Sequence, residues 1–216
     1  MEDILLPLFP LEVVLLPGEV LPLHIFEERY KEMIGECLAT EASGRGQSEF
    51  GIVLAKDQEI CNIGCTAQII RVTRRYADGR MDIVTAGQRR FEILFTDAEK
   101  SYLRAGVEFF EDEPSASPPP GRDIRRALEL FEQVMKRVSN RRDPAPPPEI
   151  DSHLSFRMAA LLPLDLELKQ KLLTLRNEAK RLQELSRALE EMIPQIDRAA
   201  RVHEKAGGNG DLRQHR

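Results

Sequence analysis

Residues 4–30 read ILLPLFPLEVVLLPGEVLPLHIFEERY, and the fold turns on how this stretch is read. Short apolar runs are cut by Pro7, Pro10, Pro17 and Pro22, with Pro17-Gly18 as a turn signal in the middle. Each proline inside a helix removes a backbone donor and clashes with the preceding turn, so one long helix is excluded. What remains is a set of extended pieces bent at the prolines, rich in residues that favour strands. Proline is tolerated at strand edges and first positions, which suits the irregular rim of a small barrel. From Phe26 the period changes. Phe26, Tyr30, Met33, Ile34, Cys37 and Leu38 recur at helical spacing and predict an amphipathic helix of about three turns.

The same stretch is apolar enough to invite a membrane reading. Glu2 and Asp3 precede it where a secretion signal needs positive charge, and Glu12 and Glu19 interrupt it. A carboxylate at mid-bilayer costs about 3 kcal/mol. The expectation is a soluble, cytoplasmic chain with no membrane partner. Its 216 residues suffice to bury about 70% of the surface an unfolded chain exposes. Net charge is −5, which gives no global attraction to nucleic acid or anionic lipid. Three cysteines, an odd number, argue against a disulfide framework. Cys61-Asn-Ile-Gly-Cys65 invites a metal, but no histidine pair completes a set of four ligands. Free, buried or half-buried thiols are expected instead, with no metal and no cofactor.

Leu6-Pro7-Leu8-Phe9-Pro10, Val14-Leu15-Leu16-Pro17-Gly18 and Leu21-Pro22-Leu23-His24-Ile25-Phe26-Glu27-Glu28-Arg29-Tyr30 together resemble the opening of the LON substrate-binding domain. That is the amino-terminal domain of the ATP-dependent Lon protease, found also in stand-alone proteins. Ile63-Gly64-Cys65-Thr66-Ala67 and Gly87-Gln88-Arg89-Arg90-Phe91 are similar to later pieces of the same domain. Leu161-Leu162-Pro163-Leu164-Asp165, Leu168-Lys169-Gln170-Lys171-Leu172-Leu173 and Arg181-Leu182 resemble its closing segment. The resemblance implies an α+β fold: a PUA-like small β-barrel or rolled sheet with one amphipathic helix, then a carboxy-terminal helical bundle. Periodicity alone reaches only small β-structure plus one helix.

In order, residues 41–48 read as a surface loop. Strands are predicted at Phe50–Ala55, Thr66–Tyr76, Met81–Ala86, Phe91–Phe95 and Tyr102–Phe110, with the hairpin signal Asp78-Gly79 and a second turn at Gly87-Gln88-Arg89-Arg90. Residues 1–113 form the β-rich part and 114–121 a proline-rich linker. Residues 122–205 form the helical part and 206–216 a flexible tail. Ile124, Leu128, Phe131, Met135 and Val138 make one apolar stripe. After the break at 143–148, Ile150, Leu154, Met158, Leu161 and Leu162 make a second. Pro163 ends that helix, and Asp165 caps a short one holding Leu168, Leu172 and Leu173. The last helix is expected over 177–193, with the seam Leu182, Leu185, Leu189, Met192 and Ile196. That seam packs inside the chain or supports a weak homo-oligomer.

Little in the sequence points to catalysis. No G-x-x-x-x-G-K-[ST] phosphate loop is present. The serines lack a nucleophile motif, and His24, His153, His203 and His215 are scattered without metal-ligand spacing. In Lon, ATP hydrolysis and peptide cleavage reside in later domains, and this chain is expected to hold neither. The resemblance implies a non-catalytic module that engages polypeptide, with unfolded or apolar clients or a protease partner. An apolar groove at the barrel–helix junction would take the peptide by edge pairing or pocket contacts. Its candidate residues are Pro22, Leu23, His24 and Phe26 on the proline-bent rim, with Arg89, Arg90 and Phe91 at the second turn. His24 reads equally as a packed, hydrogen-bonded rim residue. A second class is RNA binding. Residues 71–90 hold six arginines (Arg71, Arg74, Arg75, Arg80, Arg89, Arg90) against two acids, net +4, near Tyr76 and Phe91. Against it, residues 1–50 hold ten acids and three bases, net −7.

Overall fold

The proline-cut opening becomes two strands. The computed structural model describes residues 5–44, 49–57, 59–114, 117–138 and 148–208, with side chains excepted at 41 and 202–208. In it β1 (Leu6–Leu11) carries Pro7 and Pro10, and β2 (Val20–Ile25) carries Pro22. β1 pairs in parallel with β3 (Glu49–Lys56) from Leu8–Gly51 onward, and antiparallel with β6 (Arg104–Phe110) only at Leu6–Ala105 and Pro7–Arg104. Leu8 N donates to Leu103 O at 2.8 Å. Backbone groups alternate sides along a strand, so Pro10 turns its missing N–H toward β6, where pairing has ended, and Pro7 toward β3, before pairing has begun. No ladder bond is lost at either proline.

β4 (Glu59–Arg75) and β5 (Met81–Asp97) are long antiparallel partners, and the sheet order is β2-β5-β4-β3-β1-β6 with an added β5–β6 pairing. That last contact closes β5, β4, β3, β1 and β6 into a ring. β2 stays outside the ring, paired only with the first half of β5, from Val20–Ala86 to Ile25–Met81. Leu8, Val53, Phe91 and Ala105 fill the interior. The Phe91 ring is the reason for glycine at 64: a Cβ there would stand 2.6 Å from Phe91 Cζ and 2.5 Å from the Ile52 carbonyl oxygen. After β2, α1 (Glu28–Ala42) buries Tyr30, Met33, Ile34 and Cys37. The Tyr30 ring packs on Phe9 with centroids 4.0 Å apart and planes tilted by 31°.

The turn expected at Gly87-Gln88-Arg89-Arg90 is absent; β5 runs straight through it. Gly87 is there for close approach rather than reversal. Its amide donates to Glu19 O at 2.9 Å, its carbonyl accepts from Gly18 N at 2.9 Å, and a Cβ would fall 2.1 Å from the Leu16 carbonyl oxygen. β4 also begins earlier than expected, so Cys61 and Cys65 lie within a strand.

By its contacts the chain divides into two compact units, one of residues up to 115 plus Ala159–Arg176, the other of Ala116–Met158 plus Asn177 onward. Residues 159–176, expected with the helical part, thus belong with the barrel. There α4 (Leu166–Thr174) is capped by Asp165, whose carboxylate accepts from Leu168 N at 2.7 Å, and it buries Leu172 and Leu173. Lys169 Nζ reaches Glu19 Oε1 at 2.6 Å, and Gln170 Nε2 donates to Ile63 O at 3.0 Å.

In the second unit α2 (Gly121–Val138) buries Ala127, Leu130, Phe131 and Val134. The stripe expected through Ile124, Leu128 and Val138 is therefore rotated, and Val138 is exposed. α3 (Leu154–Ala160) is shorter than its apolar pattern, leaving Ile150 and Leu161 exposed beyond its ends. α5 (Glu178–Gly208) passes through Pro194 instead of stopping before it. Pro194 lies on the exposed side of the helix, where water can reach the carbonyl it leaves unpaired. Of the expected seam, Leu182, Leu185 and Leu189 are fully buried, whereas Met192 and Ile196 are half-buried. Arg126–Glu190 (2.9 Å) and Arg137–Asp197 (2.8 Å) link α2 to α5. Residues 45–48 of the expected loop, 143–147 of the proline-rich break and 209–216 of the tail lie outside the described residues. Among the described residues no helix is long and apolar enough to cross a membrane.

Candidate functional site

Alternation along β2 sends Val20, Pro22 and His24 to the outer face and Leu21, Leu23 and Ile25 to the other. The register sets Val20 beside Ala86, Pro22 beside Val84 and His24 beside Asp82 on β5. β4 continues the same rows with Gln68 beside Ala86, Arg71 beside Val84 and Arg74 beside Asp82. A bulge between Ile69 and Arg71 turns Ile70 outward as well. One end of this three-stranded face is apolar: Val20 is 63% exposed and Ile70 55%. Phe26, 59% exposed, leaves the end of β2. Single exposed apolar residues are ordinary, but three large ones associated with one sheet face are not.

The other end is polar and built around Asp82. His24 Nδ1 lies 2.5 Å from Asp82 Oδ1, and Tyr76 Oη donates to Oδ2 at 2.8 Å. An ionised carboxylate only accepts, so Nδ1 carries the proton. These two hydrogen bonds, His24 first, hold the Asp82 carboxyl below its ordinary value. Phe26 stacks on the His24 ring with centroids 6.0 Å apart. His24 is thus a hydrogen-bonded rim residue on an exposed face.

The free edge of β2 carries a further constraint. Glu19 O accepts from Gly87 N, and Leu21 O accepts from Thr85 Oγ1 at 2.8 Å. Leu21, Leu23 and Ile25 therefore turn their backbone groups to β5, and Val20, Pro22 and His24 turn theirs outward. Pro22 has no N–H to offer on that edge. A partner strand would find its ladder broken at the centre, a protection seen on natural sheet edges.

The sequence candidates separate into two groups. Pro22, His24 and Phe26 come together with Arg71 and Arg74. Leu23 faces the opposite side. Arg75 donates to Met81 Sδ at 3.3 Å, and Arg80 pairs with Asp78 at 2.7 Å. Arg89, Arg90 and Phe91 lie further along β5 and do not reach this face. Arg89 pairs with Glu49 (3.0 Å) and covers the Phe109 ring at 3.8 Å. Arg90 is 3% exposed and Phe91 fully buried. Arg90 donates to Leu173 O (3.2 Å), Leu175 O (2.7 Å) and Asp112 Oδ1 (2.6 Å), closing the carboxy-terminal end of α4. Val20, Ile70 and Val84 were missed from sequence. Val20 is legible in the alternation of β2, whereas the bulge that exposes Ile70 leaves no mark in the pattern.

Elsewhere the chemistry is muted. Burial pushes the Cys37 and Cys65 thiols up to about 12, so neither is a nucleophile near neutral pH. Ser152 Oγ lies 3.1 Å from His153 Nδ1, but these are neighbours in an exposed turn, and among the described residues no carboxylate orients the ring. The buried Ser155 hydroxyl donates to Glu178 at 2.7 Å and accepts from Arg181 Nε at 3.0 Å. Among the described residues no group of three or more His, Cys, Asp or Glu is placed to hold a metal. The described residues also line a cleft of about 130 Å³ beside Glu92, Glu108 and Phe109 and a wide, shallow one of about 390 Å³ beside Arg126, Leu182 and Glu190.

A family model described as the ATP-dependent protease La (LON) substrate-binding domain matches residues 5–191. Lon protease 2 of Herpetosiphon aurantiacus is 27% identical over 199 residues, 89% of this chain and 24% of that protein. Lon protease 1 of Syntrophobacter fumaroxidans is 26% identical over 83% of this chain and 23% of its own length. The chain thus spans about a quarter of the curated relatives it matches. A crystal structure of a Lon N-terminal domain protein from Xanthomonas campestris superposes with a TM-score of 0.63 at 27% identity, covering 84% of this chain and 96% of that one. The N-terminal domain of a Mycobacterium avium complex Lon protease shares the fold, with a TM-score of 0.59 at 21% identity over 86% of this chain and 98% of its own. The family-model match from residue 5 to residue 191 places this chain in the LON substrate-binding domain family.

Proposed function

We propose that this chain is a non-catalytic polypeptide-binding module that engages apolar segments of its clients on the outer face of β2, β5 and β4. The observation that carries the reading is that Val20 and Ile70 stand exposed at one end of this face and Phe26 at the other, beside His24. The family membership supports a substrate-binding role, and the muted chemistry of the thiols and hydroxyls supports binding without turnover. Pro22 on the free edge favours docking across the face over strand addition.

RNA is the weaker reading. Base stacking needs open aromatic faces. Here Tyr76 is covered by the Arg74 and Arg80 guanidiniums at 4.6 and 5.0 Å, and Phe91 is interior.

The face is shallow, so a single contact is weak, with a Kd near micromolar equivalent to about 8 kcal/mol. The test is fluorescence anisotropy with a neutral, leucine-rich labelled peptide against the wild type and the double variant Val20→Asp, Ile70→Asp. Binding lost in the variant supports the reading. Equal binding by both proteins, or turnover of the peptide by the purified chain, overturns it.

A further inference from the structure

The arginines of the barrel unit sort by partner. Arg29 pairs with Glu27, Arg80 with Asp78, Arg89 with Glu49, Arg90 with Asp112 and Arg104 with Asp97. Arg71, Arg74, Arg75 and Arg176 have no ion-pair partner among the described residues; Arg75 donates to Met81 Sδ, Arg176 to Glu111 O, and the Arg74 guanidinium lies over the Tyr76 ring at 4.6 Å. The acid beside Arg74 is Asp82, which accepts from His24 and Tyr76 and whose charge is also felt by Arg74, with no hydrogen bond between the two side chains among those of the described residues. Arg71 and Arg74 are exposed, and both stand on the face that also carries Val20 and Ile70. Their spacing is set by the sheet. They lie beside Val84 and Asp82, two residues apart on β5, which is about 7 Å along a strand.

From this charge pattern, and resting on the polypeptide reading above, we infer that the segment bound on this face is acidic as well as apolar. It is an extended stretch with carboxylates at every second position at one end and apolar side chains at every second position at the other. In such a segment the side chains at i and i+2 also stand about 7 Å apart on one side. Two carboxylates in that register meet Arg74 and Arg71, and the next residues on the same side fall over Ile70, Ala86 and Val20. Exchanging carboxylate for lysine sets like charges together on a row where two arginines stand against one acid, Asp82. The specificity therefore lies in sign and alternation, while the apolar end supplies the contact area.

The experiment compares three labelled nonapeptides, each with leucine at its first and third positions and glutamate, glutamine or lysine at its fifth and seventh. A fourth carries the two glutamates at even positions. Binding to the whole chain is read by anisotropy in low salt, with oligo-uridylate as a competitor. The glutamate peptide is expected to bind about five- to tenfold tighter than the glutamine one, a margin appropriate to two exposed ion pairs. The lysine peptide binds weakest, and the advantage fades toward 0.5 M salt. The double variant Arg71→Gln, Arg74→Gln loses the advantage yet still binds the glutamine peptide. The reversal Arg71→Glu, Arg74→Glu inverts the order in favour of lysine. Equal binding of all peptides, or no loss of preference in the glutamine variant, overturns this inference alone. Absence of any peptide binding, or displacement by oligo-uridylate alone, overturns the polypeptide reading with it. An advantage retained when the glutamates move to even positions overturns the register.

Discussion

β5 carries two arginine environments at its two ends, and their contrast separates structure from function. The first half of β5 is flanked by β2 and by the stretch of β4 holding Arg71 and Arg74, both exposed and unpaired among the described residues. The second half holds Arg90, buried, with three acceptors in hydrogen-bond range. A buried guanidinium persists only where its donors are matched, because desolvating an unmatched charge costs several kcal/mol. An exposed one needs no partner. So the buried arginine holds the fold together, and the exposed pair, with Arg74 resting on the Tyr76 ring, keeps guanidinium donors turned to water. The sequence window of net +4 mixes both kinds, and only their surroundings tell them apart.

Three measurements break or sharpen that contrast. The largest effect is expected from Arg90→Met, which strands the Asp112 carboxylate and two carbonyls at the end of α4. A loss of about 3–5 kcal/mol is expected from the urea midpoint. Arg90→Lys recovers little, since one ammonium cannot span acceptors that the planar fork reaches together. A loss under about 1 kcal/mol for Arg90→Met would place Arg90 with the exposed arginines and remove the contrast.

The next effect is pH-dependent and belongs to the open end. Asp82 is held below its ordinary value by His24 and Tyr76. Its stabilising contribution is therefore present above the unfolded carboxylate value, about 3.9, and is lost as pH falls through the lower folded value. Asp82→Asn should lower the melting temperature at about pH 6, and the difference from wild type should shrink as pH falls below the unfolded carboxylate value. A gap that persists in acid would show that ionisation of Asp82 is not what holds the rim.

The smallest change in stability is expected from Arg71→Gln with Arg74→Gln, within about 0.5 kcal/mol by thermal or urea melting. Silence in stability together with a changed preference among charged peptides is what a binding pair does. A destabilisation above about 1 kcal/mol would mean that these arginines belong to the packing after all.

Much of the fold is legible without coordinates. Four prolines in 4–30 exclude one long helix and announce short strands; the Asp78-Gly79 hairpin joins β4 to β5; Asp165 caps α4. The errors have a common origin. Gly87 looks like a turn residue because a glycine followed by polar residues usually is one. It is a crossing point, and the Leu16 carbonyl that forbids a side chain there is 71 residues away. Pro194 looks like a helix stop, yet on an exposed helix face proline is survivable. Ala159–Arg176 looks like more of the bundle, but Arg90, Lys169 and Gln170 tie α4 to the barrel unit.

The candidate face shows the same division. Alternation along β2 identifies Val20, Pro22 and His24 as one row by themselves. Their union with Arg71 and Arg74 depends on the pairing of β2 with β5 and on two bulges in β4, and the bulges shift the side-chain phase without a sequence signal.

Local sequence decided which backbone conformations were affordable, because proline, glycine and capping carboxylates act within a few residues of themselves. Tertiary structure decided which charges are satisfied and which side chains share a face. Those depend on partners brought together from tens of residues apart, and burial is a property of the assembled sheet rather than of any one strand.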